Sequence, residues 1–202
     1  MRMAEKINIL EGARIAIALT GSFCTLEKVF EAVRLLKEAG ARLTPILSPA
    51  VATIDTRFFR AAESRGIIES ICRNKALTEI AQVEPIGPKK HFDLLVIAPC
   101  TGNTCAKLAC GIADTSVTMA CKSQLRNERP VLIALSTNDA LAVAAQNVGT
   151  LMSRKHIYFV PIGQDDPIDK PASMVFDTKK LVQSCEAALE RRQIQPVVFG
   201  YL

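Results

Sequence analysis

The 202-residue sequence contains no tryptophan, two tyrosines and two histidines, and aromatic residues make up 5% of it. Its basic excess is small: 25 Lys and Arg against 20 Asp and Glu give a formal charge of +5. These charges form no basic stripe interleaved with aromatics, which argues against a nucleic-acid surface. No apolar run is long enough to cross a bilayer. The N-terminal MRMAEKINILEG lacks the long apolar stretch and small-residue cleavage site of a signal peptide. The expectation is a cytoplasmic protein that engages neither nucleic acid nor membrane. The seven cysteines are odd in number and form no paired C-x-x-C units with histidines nearby, so no disulfide framework and no metal site are expected. Cys100, Cys105 and Cys110 recur every five residues, a spacing that scatters them around a helix. The cysteines read as small buried hydrophobes. Cys100 stands apart because it falls in a candidate ligand turn.

What is present is an apolar fraction of 49% beside 22% charged residues, close to globular averages. The length suits one domain with a substantial core. Arg14–Thr20, Arg42–Leu47, Asp93–Ala98, Val131–Leu135 and Ile157–Val160 read as buried strands. Between them lie helical patterns. Leu26, Val29, Phe30, Val33, Leu35 and Leu36 mark an amphipathic helix ending before Gly40. Thr56–Arg65, Lys75–Gln82, a stretch after Thr104, Ser116–Leu125, Ala140–Met152 and Thr178–Arg192 follow. Strands alternating with helices predict a three-layer α/β fold of Rossmann-like, flavodoxin-like type, with a parallel sheet flanked by helices. The expected organisation is a single domain over 1–202, with its core at 14–161 and a C-terminal loop and helix at 162–202.

The stretch LLVIAPCTGNTCAKLACGIAD, Leu94 to Asp114, carries the most chemical information. An apolar strand is expected to stop at Pro99, five small or polar residues follow, and a helix begins. A helix start offers unpaired N–H groups and a partial positive charge, where phosphates settle. Asn103 or Thr104 is suited to cap that helix, and Thr101 and Gly102 leave room for a ligand near the backbone. Four strand ends carry such residues: Thr20-Gly21-Ser22, Ser48, Thr101 to Thr104, and Ser136-Thr137-Asn138. In a parallel sheet all four fall on the edge where ligands bind. The first turn, TGSFCTLE, lacks G-x-G-x-x-G, no acidic residue follows the second strand, and no P-loop lysine is present. A mononucleotide such as FMN therefore suits the site better than a dinucleotide.

These residues resemble the flavoprotein family that includes phosphopantothenoylcysteine decarboxylase, the lantibiotic cysteine decarboxylases and the prenyl-FMN synthases. The family's Gly-Ser turn, P-A-S-A-N-T segment and G-[IL]-x-D stretch correspond to Gly21-Ser22, Pro99-Cys100-Thr101-Gly102-Asn103-Thr104 and Gly111-Ile112-Ala113-Asp114. By that resemblance FMN would be held by Thr20, Gly21, Ser22, Ser48, Thr101, Gly102, Asn103 and Thr104. Trimer-based homo-oligomers are implied in the same way. Two departures argue against decarboxylation. No histidine follows the second strand, His91 and His156 reading as surface residues instead. The P-x-M-N-x-x-M turn is reduced to Leu135-Ser136-Thr137-Asn138-Asp139-Ala140-Leu141.

TGSFCT, APCTGNT, KLACGIADT, RNERPV, STNDAL and above all PIGQDDPIDKPASMV are similar to one branch of that family, the B subunits of bacterial dipicolinate synthases. That resemblance implies a dehydrogenase-like A subunit as partner, with NAD(P) on the partner and FMN, where retained, on this chain. The implied reaction oxidises dihydrodipicolinate, an intermediate of lysine biosynthesis, to dipicolinate in the mother cell of a spore-forming bacterium. It needs an electron acceptor, a base, and cations or N–H groups for two carboxylates. Ser136, Thr137 and Asn138 would face the dicarboxylate substrate. Lys107 and Lys122 are the nearby cations by sequence. The resemblance gives Gln164, Asp165, Asp166, Lys170 and Ser173 a part in an active-site or subunit interface. No residue is assigned as the catalytic base. The alternatives are a non-catalytic scaffold with a vestigial flavin site and an independent FMN-dependent decarboxylase.

Overall fold

The computed structural model describes residues 8–200. Five parallel strands form the centre: β1 (Arg14–Leu19), β2 (Arg42–Leu47), β3 (Leu94–Cys100), β4 (Val131–Thr137) and β5 (Ile157–Phe159). Their spatial order is 2-1-3-4-5. β1 and β3 are adjacent, so the chain changes its direction of travel across the sheet between them. Crevices open outside the carboxyl ends of strands at such a switch point.

Why these segments are strands follows from their burial. All seven residues of β3 and five of six in β1 are buried, as expected for strands covered on both faces and rich in Val, Ile and Leu. Each fully buried Leu or Ile contributes about 1.5–3 kcal/mol relative to exposure. α1 (Leu26–Glu38) presents Val29, Phe30, Val33 and Leu36 as one buried stripe. It packs with α9 (Leu181–Leu189) on the sheet's flank. α2 (Pro49–Thr53) and α3 (Ala61–Cys72) follow β2. α4 (Ile80–Val83) and α5 (Ile86–Lys89) pack on α7 (Ser116–Leu125), which lies against β2, β3 and β4. α6 (Gly102–Ala109) packs on α7 and on α8 (Ala145–Met152). No helix among the described residues is long and apolar enough to cross a membrane.

The parallel sheet flanked by helices is as expected, and it carries an addition. β6 (Ile162–Gly163) and β7 (Met174–Phe176) pair antiparallel, and β7 joins the end of β4 through Ser136 and Thr137. Strands of two and three residues are too short to give a period in the sequence.

Several boundaries move for local reasons. The helix expected at Thr56–Arg65 begins instead at Ala61. Thr56 Oγ1 accepts from the Phe58 and Phe59 amides, and Asp55 Oδ1 accepts from Ala61 N at 2.8 Å. These side chains offer the backbone an alternative to a helix. The Lys75–Gln82 helix shrinks to α4 because Leu77 extends along β2, exchanging backbone bonds with Pro45 and Leu47. α8 starts at Ala145 rather than Ala140, after turns in which Asp139 O accepts from Ala142 N and Ala144 N. The final helix reduces to α9 preceded by a 3₁₀ turn at Thr178–Lys180. β3 runs through Pro99 to Cys100 with a register shift against β4, an irregularity where a strand proline is tolerated.

Candidate active site

The four polar strand ends converge on two adjoining clefts. The smaller has a volume of about 390 Å³. Six of the eight expected cofactor residues line it: Thr20, Gly21, Ser48, Thr101, Asn103 and Thr104. Pro49, Ala50, Lys107 and Thr115 complete it. Its floor is the start of α6. Thr101, not Asn103 or Thr104, caps that helix, its Oγ1 accepting from Thr104 N at 3.2 Å. The amides of Gly102 and Asn103 precede any intrahelical acceptor and remain available to a ligand. Ser48 caps α2, accepting from Val51 N. Thr20 is a fastener: its buried hydroxyl donates to Pro99 O at 2.7 Å and accepts from Thr101 N at 3.0 Å. That pair of bonds locks the end of β1 to the end of β3. Lys107 reaches the cleft, but its ammonium pairs with Asp114 at 2.7 Å. The hydrogen bond from Lys107 holds the Asp114 carboxyl below its usual pKa. Gly111, at φ +73°, permits the turn that brings Asp114 back to α6. Lys122 is exposed and lines neither cleft.

The larger cleft, about 480 Å³, shares Gly21 and Thr101 with the smaller. Ser22 and Gly102, the other two expected cofactor residues, line it together with Ser136, Thr137 and Asn138. Ser22 Oγ and Ser136 Oγ lie 2.8 Å apart, a hydroxyl bridge from the turn after β1 to β4. The Thr137 hydroxyl donates to Asp139, so toward a ligand it presents lone pairs. Gly102 permits a close approach: a Cβ would lie 2.6 Å from Thr137 Oγ1 and 2.9 Å from Asp139 Oδ1, so those side chains would have to shift. Of the distinctive loop, Asp165, Lys170 and Ser173 reach the cleft. Gln164 and Asp166 instead hold the loop, through bonds to Pro171 O and from Asp169 N.

Two further readings change. Cys100 points into the core rather than the ligand turn, and burial pushes its thiol well above the ordinary pKa. Cys105 is pushed up to about 11, by burial and then by the Asp139 charge. Five cysteines are buried as expected, whereas Cys24 and Cys110 are exposed. Among the described residues no group of three or more His, Cys, Asp or Glu is arranged to hold a metal ion.

Sequence reasoning missed the apolar walls of the larger cleft: Phe23, Phe58, Met174 and Val175, with Cys24 and Thr25 beside them. Phe58 is 45% exposed, with the Arg57 guanidinium carbon 4.8 Å from its ring centre. Phe58 lies in a bend, where no sequence period marks it. Neither histidine lines either of these two clefts. His91 and His156 precede β3 and β5, at the opposite end of the sheet.

A 2-1-3-4-5 sheet with hydroxyl-lined clefts at its switch point is an architecture in which mononucleotides are bound. The family model described as Flavoprotein matches residues 3–190. The chain belongs to the flavoprotein family. It is 45% identical over 189 residues to the dipicolinate synthase B subunit of Bacillus subtilis, covering 94% of each chain. The crystal structure of the dipicolinate synthase B subunit from Bacillus halodurans superposes with a TM-score of 0.88 at 40% identity, over 96% of this chain and 99% of that one. The FMN-dependent cysteine decarboxylase SpaF superposes at 0.66 and 22% identity, over 90% and 97% of the two chains, a likeness of fold.

Proposed function

We propose that this chain is the B subunit of a dipicolinate synthase, acting with a dehydrogenase-like A subunit to oxidise dihydrodipicolinate to dipicolinate. The reading is carried by the convergence of four polar strand ends on paired clefts in a chain 45% identical to a dipicolinate synthase B subunit. The residues fit FMN. The smaller cleft offers the α6 amides and the hydroxyls of Ser48, Thr101 and Thr104 to a phosphate. It adds no unpaired cation, since Lys107 is bound to Asp114. Gly21 and Ser22 carry the ligand path into the larger cleft, where Phe23 and Met174 supply apolar surface for a flat ring. FMN, when bound, supplies an acceptor for two electrons.

Ser136, Thr137 and Asn138 would orient the substrate ring at the end of β4. Thr137, its proton engaged by Asp139, leaves Ser136 and Asn138 as the donors to a substrate carboxylate. Aromatisation of the dihydropyridine removes a hydride equivalent and a proton. NAD(P) on the A subunit is the terminal acceptor in this reading. The chain would work as a trimer-based homo-oligomer in the cytoplasm of the mother cell of a spore-forming bacterium.

Titration with FMN, followed by quenching of flavin fluorescence, tests the cofactor assignment; saturable one-to-one uptake is expected. Turnover assays with the A subunit alone and with both subunits test the role in catalysis. Full activity of the A subunit alone would sink the catalytic reading and leave a scaffold with a vestigial flavin site. Carbon dioxide release from cysteine-ended substrates would instead support the decarboxylase alternative.

A further inference from the structure

The loop between β6 and β7 holds a lysine at the larger cleft by its backbone. Lys170 N donates to Asp166 O at 2.8 Å and Ser173 N donates to Lys170 O at 2.9 Å. Around these, Gln164 Nε2 donates to Pro171 O, Asp169 N to Asp166 Oδ1, and Ser173 Oγ to Asp165 Oδ1 at 2.7 Å. The loop is tied outward as well. Leu141 N, in the turn after β4, donates to Ala172 O at 3.0 Å, and Phe199 N donates to Ile162 O at 3.1 Å. So dense a set of bonds fixes the position from which the side chain of Lys170 leaves the backbone.

The ammonium itself is unspent. Lys170 takes part in none of the ion pairs among the described residues, and it is the only Lys or Arg lining the larger cleft. The smaller cleft is the reverse, with Lys107 already paired to Asp114. Asp165, the one carboxylate lining the larger cleft, accepts from the Ser173 hydroxyl. Phe23, Phe58 and Met174 form apolar walls. An unpaired ammonium on a fixed loop, beside hydroxyls and flat apolar surface, suits a small unsaturated ring bearing a carboxylate.

We infer that Lys170 is the residue that selects anionic ligands in the larger cleft, its ammonium receiving a carboxylate of the substrate ring. The inference rests on the proposed function for the identity of the ring, but not on flavin being bound. Its chemistry is recognition by a point charge, so arginine substitutes in part and a neutral side chain of similar length does not.

The test is calorimetric titration of the purified protein with pyridine-2,6-dicarboxylate and with its neutral diamide. Wild type, Lys170→Met and Lys170→Arg are compared. Lys170→Met is expected to weaken dicarboxylate binding about tenfold or more, with diamide binding and melting temperature unchanged. Lys170→Arg is expected to recover most of the loss. Equal dicarboxylate binding by Lys170→Met and wild type would overturn the inference, as would a wild-type protein that prefers the diamide or binds neither compound. A parallel FMN titration separates the two ideas. Loss of flavin uptake in wild type overturns the cofactor assignment alone, while the dicarboxylate series still decides the role of Lys170.

Discussion

At the end of the sheet where the strands begin, Asp93 accepts from Arg14 N, Nε and Nη2 at 3.0, 3.0 and 2.7 Å. Arg129 Nη1 adds a fourth bond at 2.9 Å and also donates to Phe92 O. Where the strands finish, hydroxyls meet in pairs around the clefts: Ser22 with Ser136, Thr101 with Thr104. The first set spends its charges on its own members. The second retains bonding capacity and open space, because a hydroxyl has one donor and two acceptor sites and two bonds do not exhaust them. Polarity alone therefore does not mark a site. Polarity left unsatisfied around a cleft does.

Gly102→Val should break the ligand end most severely. Its side chain would occupy the space of Thr137 Oγ1 and Asp139 Oδ1, and overpacking of this kind costs about 1–3 kcal/mol or more. FMN affinity is expected to fall roughly 100-fold, read by fluorescence titration, with the closed end of the sheet intact by hydrogen exchange. Unchanged affinity would mean that α6 and β4 need not approach so closely. Thr20→Val comes next. It keeps the shape but leaves the buried Pro99 O and the part-buried Thr101 N without these partners, at about 1–3 kcal/mol of folding stability. Denaturant unfolding should register that loss, and Thr20→Ser should restore most of it. A cost in FMN affinity without one in stability would make Thr20 a ligand contact rather than a fastener.

The central strands were legible because β1 and β3 are buried on both faces and read as continuous apolar runs. The turn after β3 was legible as a strand-to-helix turn because small polar residues separate an apolar run from a helical pattern. What escaped is instructive. Leu77 prefers an edge pairing beside β2 to a helix, a choice made by distant backbone groups of Pro45 and Leu47. Phe58 and Met174 come to the cleft from a loop and a three-residue strand, where no period exists to be read. Cys100 sits in the right motif, but the strand continues through Pro99 and turns its thiol into the core. Tertiary pairing decided each of these, and propensity is silent about it.

The smallest effect should come from the opposite end. Hydrogen bonds from the Arg14 side chain, then from Arg14 N and Arg129, pull the Asp93 carboxyl down to about 2. Arg14 is 44% exposed and Asp93 33%, so solvent screening limits the worth of the cluster. Asp93→Asn should cost about 1–2 kcal/mol at neutral pH, with FMN uptake unaltered. Because the folded pKa is depressed, the carboxylate's contribution is complete above the unfolded value of roughly 4 and disappears as pH falls toward 2. Glu69, drawn to about 2 chiefly by the Ala76 N–H, titrates in the same window, so wild-type acid unfolding alone would not isolate Asp93. The stability gap between wild type and Asp93→Asn does isolate it: the gap should be constant from pH 7 to 5 and close between pH 4 and 2. A gap that persisted at pH 2 would show that Asn fails by shape rather than by charge. A variant that lost FMN would show that the two ends of the sheet are coupled.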